Sequence, residues 1–201
     1  MKTNTILCVG DSHTAGYPGY DPYSGGNLES TYQYWLEREL QKEYPQGKFL
    51  CINKGHCGDT SSGIVQRLCN ALKTDIFDLV ILSGGTNDLS LANNSDQIFF
   101  NLQRGYAYCL MKYNVPVVAC AIPPLNFSEY VSTIKAVNAA IEDYAKQNRL
   151  ILFADWFNAL QDELGLLADT YDAGDGVHLS VAGYKRIGTL LAHSVRRLLL
   201  G

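Results

Sequence analysis

The sequence has no block of basic residues: Lys and Arg total 16 against 20 Asp and Glu, a formal charge of -4. Nucleic acid, whose phosphates are held by clustered cations, is therefore not an expected partner. Nor does any apolar stretch approach the ~18 residues that a membrane span needs, and "MKTNTILCVGD" reaches Asp11 without the apolar run of a signal peptide. The expectation is a cytoplasmic protein with no stable membrane association. Six cysteines (Cys8, Cys51, Cys57, Cys69, Cys109, Cys120) show no paired metal-ligand spacing, and without a secretion signal they read as buried free thiols rather than disulfides. No internal repeat, low-complexity tract or linker interrupts the 201 residues. That length suits one domain spanning residues 1–201 and is tight for two.

What is present is a series of short apolar runs: "TILCVG" at 5–10, "KFLCIN" at 48–53, "DLVILSGG" at 78–85, "VPVVACAI" at 115–122 and "LILFAD" at 150–155. They are continuous rather than alternating, as in strands buried on both faces of a parallel sheet. Helical periodicity fills the intervals. Val131, Ile134, Val137, Ile141 and Tyr144 step by three or four, as do Val181, Tyr184, Ile187, Leu191, Val195 and Leu198. The pattern βαβαβαβαβα with right-handed crossovers gives an α/β protein, a three-layer α/β/α sandwich. The two longest irregular stretches, 17–30 and 165–178, fall after the first strand and before the last helix. Ligands of open α/β sheets bind outside the carboxyl ends of the strands, so those ends carry the chemistry.

Read in order, the ends are "GDSHTAG", "NKGHCGDTSSG", "SGGTNDLS" and, before the last helix, "GDGVHLS". Singly each has an ordinary reading: Ser12 as a helix cap, Gly58 as a turn glycine with Asp59 and Thr60 starting a helix, Asn87 as a turn residue, His178 as a capping or core histidine. Together they hold the parts of a serine hydrolase. A serine hydroxyl needs a neutral imidazole to take its proton, and the imidazole needs a partner to fix its tautomer. Ser12, His178 and Asp175 suit those roles, Asp175 being three residues before the histidine on a turn, although Asp169 and Asp172 share that loop. The backbone N–H groups of Ser12 and Gly58 and the side-chain amide of Asn87 are candidates for an oxyanion hole.

These blocks, in this order and at these intervals, resemble the SGNH hydrolases, also called the GDSL esterase and lipase family, over residues 6 to about 185. Ser12, Gly58, Asn87 and His178 stand at the four name-giving positions. The resemblance implies a flavodoxin-like five-stranded sheet of order 2-1-3-4-5. It also implies Ser12 as nucleophile, His178 as base, Asp175 as its orienter, and an oxyanion hole of Ser12, Gly58 and Asn87. One departure is His13, where the older family name has Leu. Thr14 stands where the second glycine of a G-x-S-x-G elbow would be, which argues against the α/β-hydrolase fold.

Other residues receive structural readings. Asp11 braces the turn or caps the following helix, and His13, His56 and Cys57, with Asp11 and Asp59 read as caps, do not make a metal set. No cofactor is expected, since a G-x-G-x-x-G or Walker loop is missing after the first strand. Among Tyr17, Tyr20, Tyr23, Tyr32, Tyr34 and Trp35, the helical members belong to the core and the loop members to a pocket wall. The expected substrate is a small or short-chain ester, with acetylated carbohydrate as one form. Alternatives are a lysophospholipase or thioesterase for longer chains, or a non-catalytic flavodoxin-like binding module. Oligomeric state is not readable.

Overall fold

The computed structural model describes residues 3–91 and 94–199, so residues 1, 2, 92, 93, 200 and 201 of the expected domain lie outside the described residues. The apolar runs pair as one five-stranded parallel sheet made of β1 (Thr3–Gly10), β2 (Lys48–Gly55), β3 (Leu79–Leu82), β4 (Val117–Cys120) and β5 (Ile151–Ala154). Their spatial order is β2-β1-β3-β4-β5. A separate hairpin of two-residue strands, Tyr20–Asp21 with Gly25–Gly26, falls in the first irregular stretch.

Burial follows position in the sheet. Ile6 to Val9 of β1, Leu79 to Leu82 of β3 and Val117 to Cys120 of β4 are all fully buried, which explains their unbroken apolar character. The edge strand β2 differs: exposed and half-buried residues run through it until Gly55, and Leu50 is an exposed leucine. The expectation of burial on both faces is corrected there, because an edge strand is covered less completely than a central one. The thiols need a similar correction. All six are free, but Cys8, Cys109 and Cys120 are buried, Cys51 and Cys69 half-buried, and Cys57 exposed.

Among the described residues, eight α-helices join or follow these strands: α1 (Ser12–Ala15), α2 (Tyr32–Glu43), α3 (Ser61–Thr74), α4 (Thr86–Ser90), α5 (Ser95–Tyr108), α6 (Val131–Lys146), α7 (Trp156–Leu160) and α8 (Val181–Leu199). The helix α2 packs with α8, and α5 packs with both α3 and α6, the two-sided grouping that right-handed crossovers of a parallel sheet produce. Ile134, Val137 and Ile141 of α6, and Tyr184, Ile187, Leu191 and Val195 of α8, turn inward as their spacing predicts. Tyr106 of α5 stacks on Tyr144 of α6 at 6.0 Å between centroids. Gly188 lets α8 approach α2, since a Cβ there would lie 2.6 Å from that of Trp35.

Three of the short helices, α1, α4 and α7, start within four residues of the ends of β1, β3 and β5. Strand ends of this kind present helix N-termini and turns on one edge of the sheet. Close approach there demands glycine: a Cβ on Gly55 would fall 2.0 Å from the Ala15 nitrogen. The end of β2 is thereby pressed against α1.

Candidate active site

At the end of β1 the chain turns through Asp11 into α1. Asp11 is the N-cap, its Oδ1 accepting the His13 N–H at 3.0 Å, and Gly16 closes the helix in the left-handed region at φ 108°. Because Asp11 takes the capping role, the Ser12 hydroxyl is not used as a cap. Ser12 is instead the first helical residue, whose N–H has no intrahelical acceptor.

The second component arrives from far along the chain. His178 Nε2 lies 2.9 Å from Ser12 Oγ across a separation of 166 residues. Its Nδ1 lies 2.6 Å from Asp175 Oδ2. Asp175 Oδ1 meanwhile accepts the backbone N–H groups of Val177 at 2.9 Å and His178 at 2.8 Å. Burial opposes ionisation of Asp175, but the backbone and imidazole donors of His178 and the Val177 N–H outweigh it. They lower the carboxyl from 3.8 to about 2. An ionised Asp175 makes Nδ1 the protonated nitrogen and leaves the Nε2 lone pair facing the serine.

The loop carrying this pair is built from its own hydrogen bonds. Asp172 Oδ1 accepts the N–H groups of Gly174 and Gly176, while its Oδ2 accepts from Asn126 Nδ2 at 2.9 Å. Asn126 also donates its backbone N–H to the Gly176 carbonyl at 2.8 Å. Of the carboxylates considered in this loop, Asp172 is thus a loop staple and Asp175 faces the imidazole. Ser180 caps α8 through the Gly183 N–H.

Gly58 and Asn87 come from the neighbouring strand ends. Gly58 has φ 78°, a left-handed conformation that disfavours any side chain. Asn87 sits in the first turn of α4, after an N-cap at Gly85, and its Nδ2 donates to the Asp59 carbonyl at 2.9 Å. That bond ties the Asn87 amide to the residue after Gly58. Asp59 was expected as a cap, and this is corrected: Thr60 caps α3, and Asp59 Oδ2 accepts from Arg67 Nε at 2.7 Å. Arg67 also donates to the carbonyls of Lys54 and Gly10. A single guanidinium therefore joins the ends of β1 and β2 to the Gly58 turn. Beneath Asn87, buried Asp88 accepts both the N–H and the hydroxyl of Ser61 at 2.7 Å, locking α4 to α3.

The sequence reading missed Arg67, Asp88 and Asp172. Arg67 and Asp88 act across 57 and 27 residues, respectively, without a local pattern to betray them. For Asp172 a signal existed, the D-x-G-x-G spacing of 172–176, which suits a carboxylate accepting turn N–H groups. Of the aromatic cluster, Tyr32 is core, Trp35 packs against the core, and Tyr23 is 80% exposed. Tyr17 meets the His178 ring edge-on at 4.6 Å and so borders the Ser12–His178 pair. Among the described residues, no group of three or more His, Cys, Asp or Glu converges as a metal site, and no helix is long and apolar enough to cross a membrane.

A serine, histidine and aspartate in hydrogen-bonded series at the carboxyl edge of a doubly wound sheet define a serine hydrolase. The family model of the GDSL-like lipase/acylhydrolases matches residues 8–186, and the chain belongs to that family. No curated protein matches it. Among solved structures it is similar to a family 3 carbohydrate esterase from Clostridium thermocellum, with 26% identity over all of both chains and a TM-score of 0.77. It is also similar to the inhibitor-bound aryl esterase of M. smegmatis (20% identity, 98% and 100% of the two chains, TM-score 0.75). Est24, a carbohydrate acetylesterase from Sinorhizobium meliloti, aligns at 21% identity over 98% and 100% of the chains, with a TM-score of 0.71.

Proposed function

We propose that the chain, acting as one domain over residues 1–201, hydrolyses carboxylic esters of small or short-chain acyl groups through an acyl-enzyme, with acetylated carbohydrates as the favoured form. The observation that carries the reaction class is the 2.9 Å approach of His178 Nε2 to Ser12 Oγ with ionised Asp175 on the other ring nitrogen. Ser12 Oγ attacks the ester carbonyl while His178 takes its proton. The carbonyl oxygen becomes an oxyanion, facing the N–H groups of Ser12 and Gly58 and the Asn87 amide. The intermediate collapses, the C–O bond to the alcohol breaks, and His178 returns the proton to the departing alkoxide. Water, deprotonated by His178, then attacks the acyl carbonyl; the carboxylic acid leaves and Ser12 regains its proton.

The substrate class is supported by two similar structures described as a carbohydrate esterase and a carbohydrate acetylesterase. Beside His178, the half-exposed Tyr17 ring offers a flat apolar wall of the sort that sugar rings or short acyl groups stack against. The test is a series of p-nitrophenyl esters from acetate to palmitate, followed by acetylated oligosaccharides. The expected order is acetate first, with release of acetate from the oligosaccharide. A maximum at long chains overturns the short-acyl reading. Ser12→Ala is expected to lose about a thousandfold or more of kcat, with no fluorophosphonate labelling; unchanged turnover overturns the reaction class.

A further inference from the structure

The site contains a second histidine that the reaction above does not use. His13 is fully buried, one residue after the nucleophile, and its ring centroid lies 5.6 Å from that of His178. Its Nδ1 is 3.2 Å from Asp11 Oδ1, and its Nε2 is 2.9 Å from the main-chain carbonyl of Val177. A carbonyl oxygen only accepts, so Nε2 carries a proton. An ionised carboxylate only accepts, so Nδ1 carries one too. The ring is then an imidazolium, paired with a carboxylate that is itself 1% exposed.

The Val177 carbonyl is a consequential place to hold. It belongs to the peptide group joining Val177 to His178, and the N–H of that same group donates to Asp175 Oδ1 at 2.8 Å. One peptide plane is thus gripped at both ends, by His13 at its oxygen and by Asp175 at its nitrogen. The Cα of His178 is bonded to that nitrogen, so the plane fixes where the catalytic imidazole starts. Asp11 anchors the other end of the bridge, since it also caps α1 and accepts the His13 N–H.

We propose that His13 is a positioning residue: a doubly protonated imidazolium that bridges Asp11 to the Val177 carbonyl and so holds His178 in register with Ser12. This rests on the roles given above to Ser12, His178 and Asp175. The charges around it permit such a cation. Asp11 faces it from its own turn, and Asp175 and His178 from the 175–178 loop; the Tyr184 phenol of α8 is held neutral first by its burial and then by the field of Asp11, Cys57 and Asp175. The two carboxylates exceed the one imidazolium by a single charge until His178 takes the serine proton, and the group is then balanced. Burial pulls the His13 pKa down, but the Asp11 carboxylate and the Val177 carbonyl raise it above 6.5 overall.

The experiment has two arms. In the first, 15N-histidine NMR of the wild-type protein at about pH 7, with the His13 signals assigned by loss in His13→Gln, is expected to show protons on both ring nitrogens; a single protonated nitrogen overturns the proposal. In the second, His13→Leu removes the bridge and His13→Gln restores a donor toward Val177. The Leu variant is expected to lose on the order of tenfold to a hundredfold in kcat on p-nitrophenyl acetate, as misplacement of a base does. Its KM is expected to stay within about twofold, and Gln is expected to recover part of the loss. A folded Leu variant with undiminished kcat overturns the proposal. Should the Leu variant fail to fold, Asp11→Asn combined with His13→Leu leaves no buried charge unpaired and repeats the measurement. A wild type without esterase activity or fluorophosphonate labelling counts against the reaction itself, while the NMR arm still decides the state of His13.

Discussion

Two aspartate–histidine pairs lie side by side in this protein, and their chemistry is set by what surrounds each. Asp175 and His178 are 2.6 Å apart with side chains 45% and 18% exposed; Asp11 and His13 are 3.2 Å apart and 1% and 0% exposed. In the open pair, one nitrogen is committed to the carboxylate and the other faces a hydroxyl, which both donates and accepts. That leaves a lone pair for a proton. In the buried pair both nitrogens face acceptors, so no lone pair remains and the ring works as a strut. The same two residue types thus give a base or a brace according to the third partner.

The largest expected break in this comparison comes from removing the open pair's histidine. His178→Ala should cut kcat by about a thousandfold or more while leaving the buried pair and the fold intact, as circular dichroism and kinetics together would show. Next comes the oxyanion side, which neither pair supplies. Asn87→Ala is expected to lower kcat by about a hundredfold to a thousandfold with a small change in KM; equal losses in affinity would mean that Asn87 serves ground-state binding.

The smallest effect, and the one that separates the two pairs by pH, is on stability. Asp175 is depressed to about 2 from 3.8, so its contribution is complete above 3.8 and fades as pH falls toward 2. His13 is raised above 6.5, so its contribution is complete below 6.5 and is lost as pH rises through its own higher value. Thermal melts across pH should decline at both ends. Asp175→Asn should flatten the acid decline, and His13→Gln the alkaline one.

Much of this arrangement was legible in the chain. The unbroken apolar runs of β1, β3 and β4 reflect burial on both faces, and Ser12, Gly58, Asn87 and His178 stand at strand or loop ends where the apolar pattern stops. Asp175 could be singled out because its partner is three residues away. Local spacing could not reveal partners brought in by the fold. The same K-F-L-C-I-N run suits a central or an edge strand until the neighbours of β2 are known. Likewise the His13 ring meets Val177 across 164 residues, and Arg67 meets Gly10 across 57. His13 was visible as a departure from leucine and as a metal-ligand candidate that was set aside, and the partners of its two ring nitrogens came only from the fold.

Residues 12 and 178 meet across 166 residues, and this has a consequence for when activity arises. A polypeptide folded only through β5 has its five strands and Ser12 in place, but His178 has not yet been brought to that serine. On the mechanism proposed above, hydrolysis therefore begins only after the 165–178 loop has folded back to the end of β1. Turnover is then a report on that long-range closure of the fold.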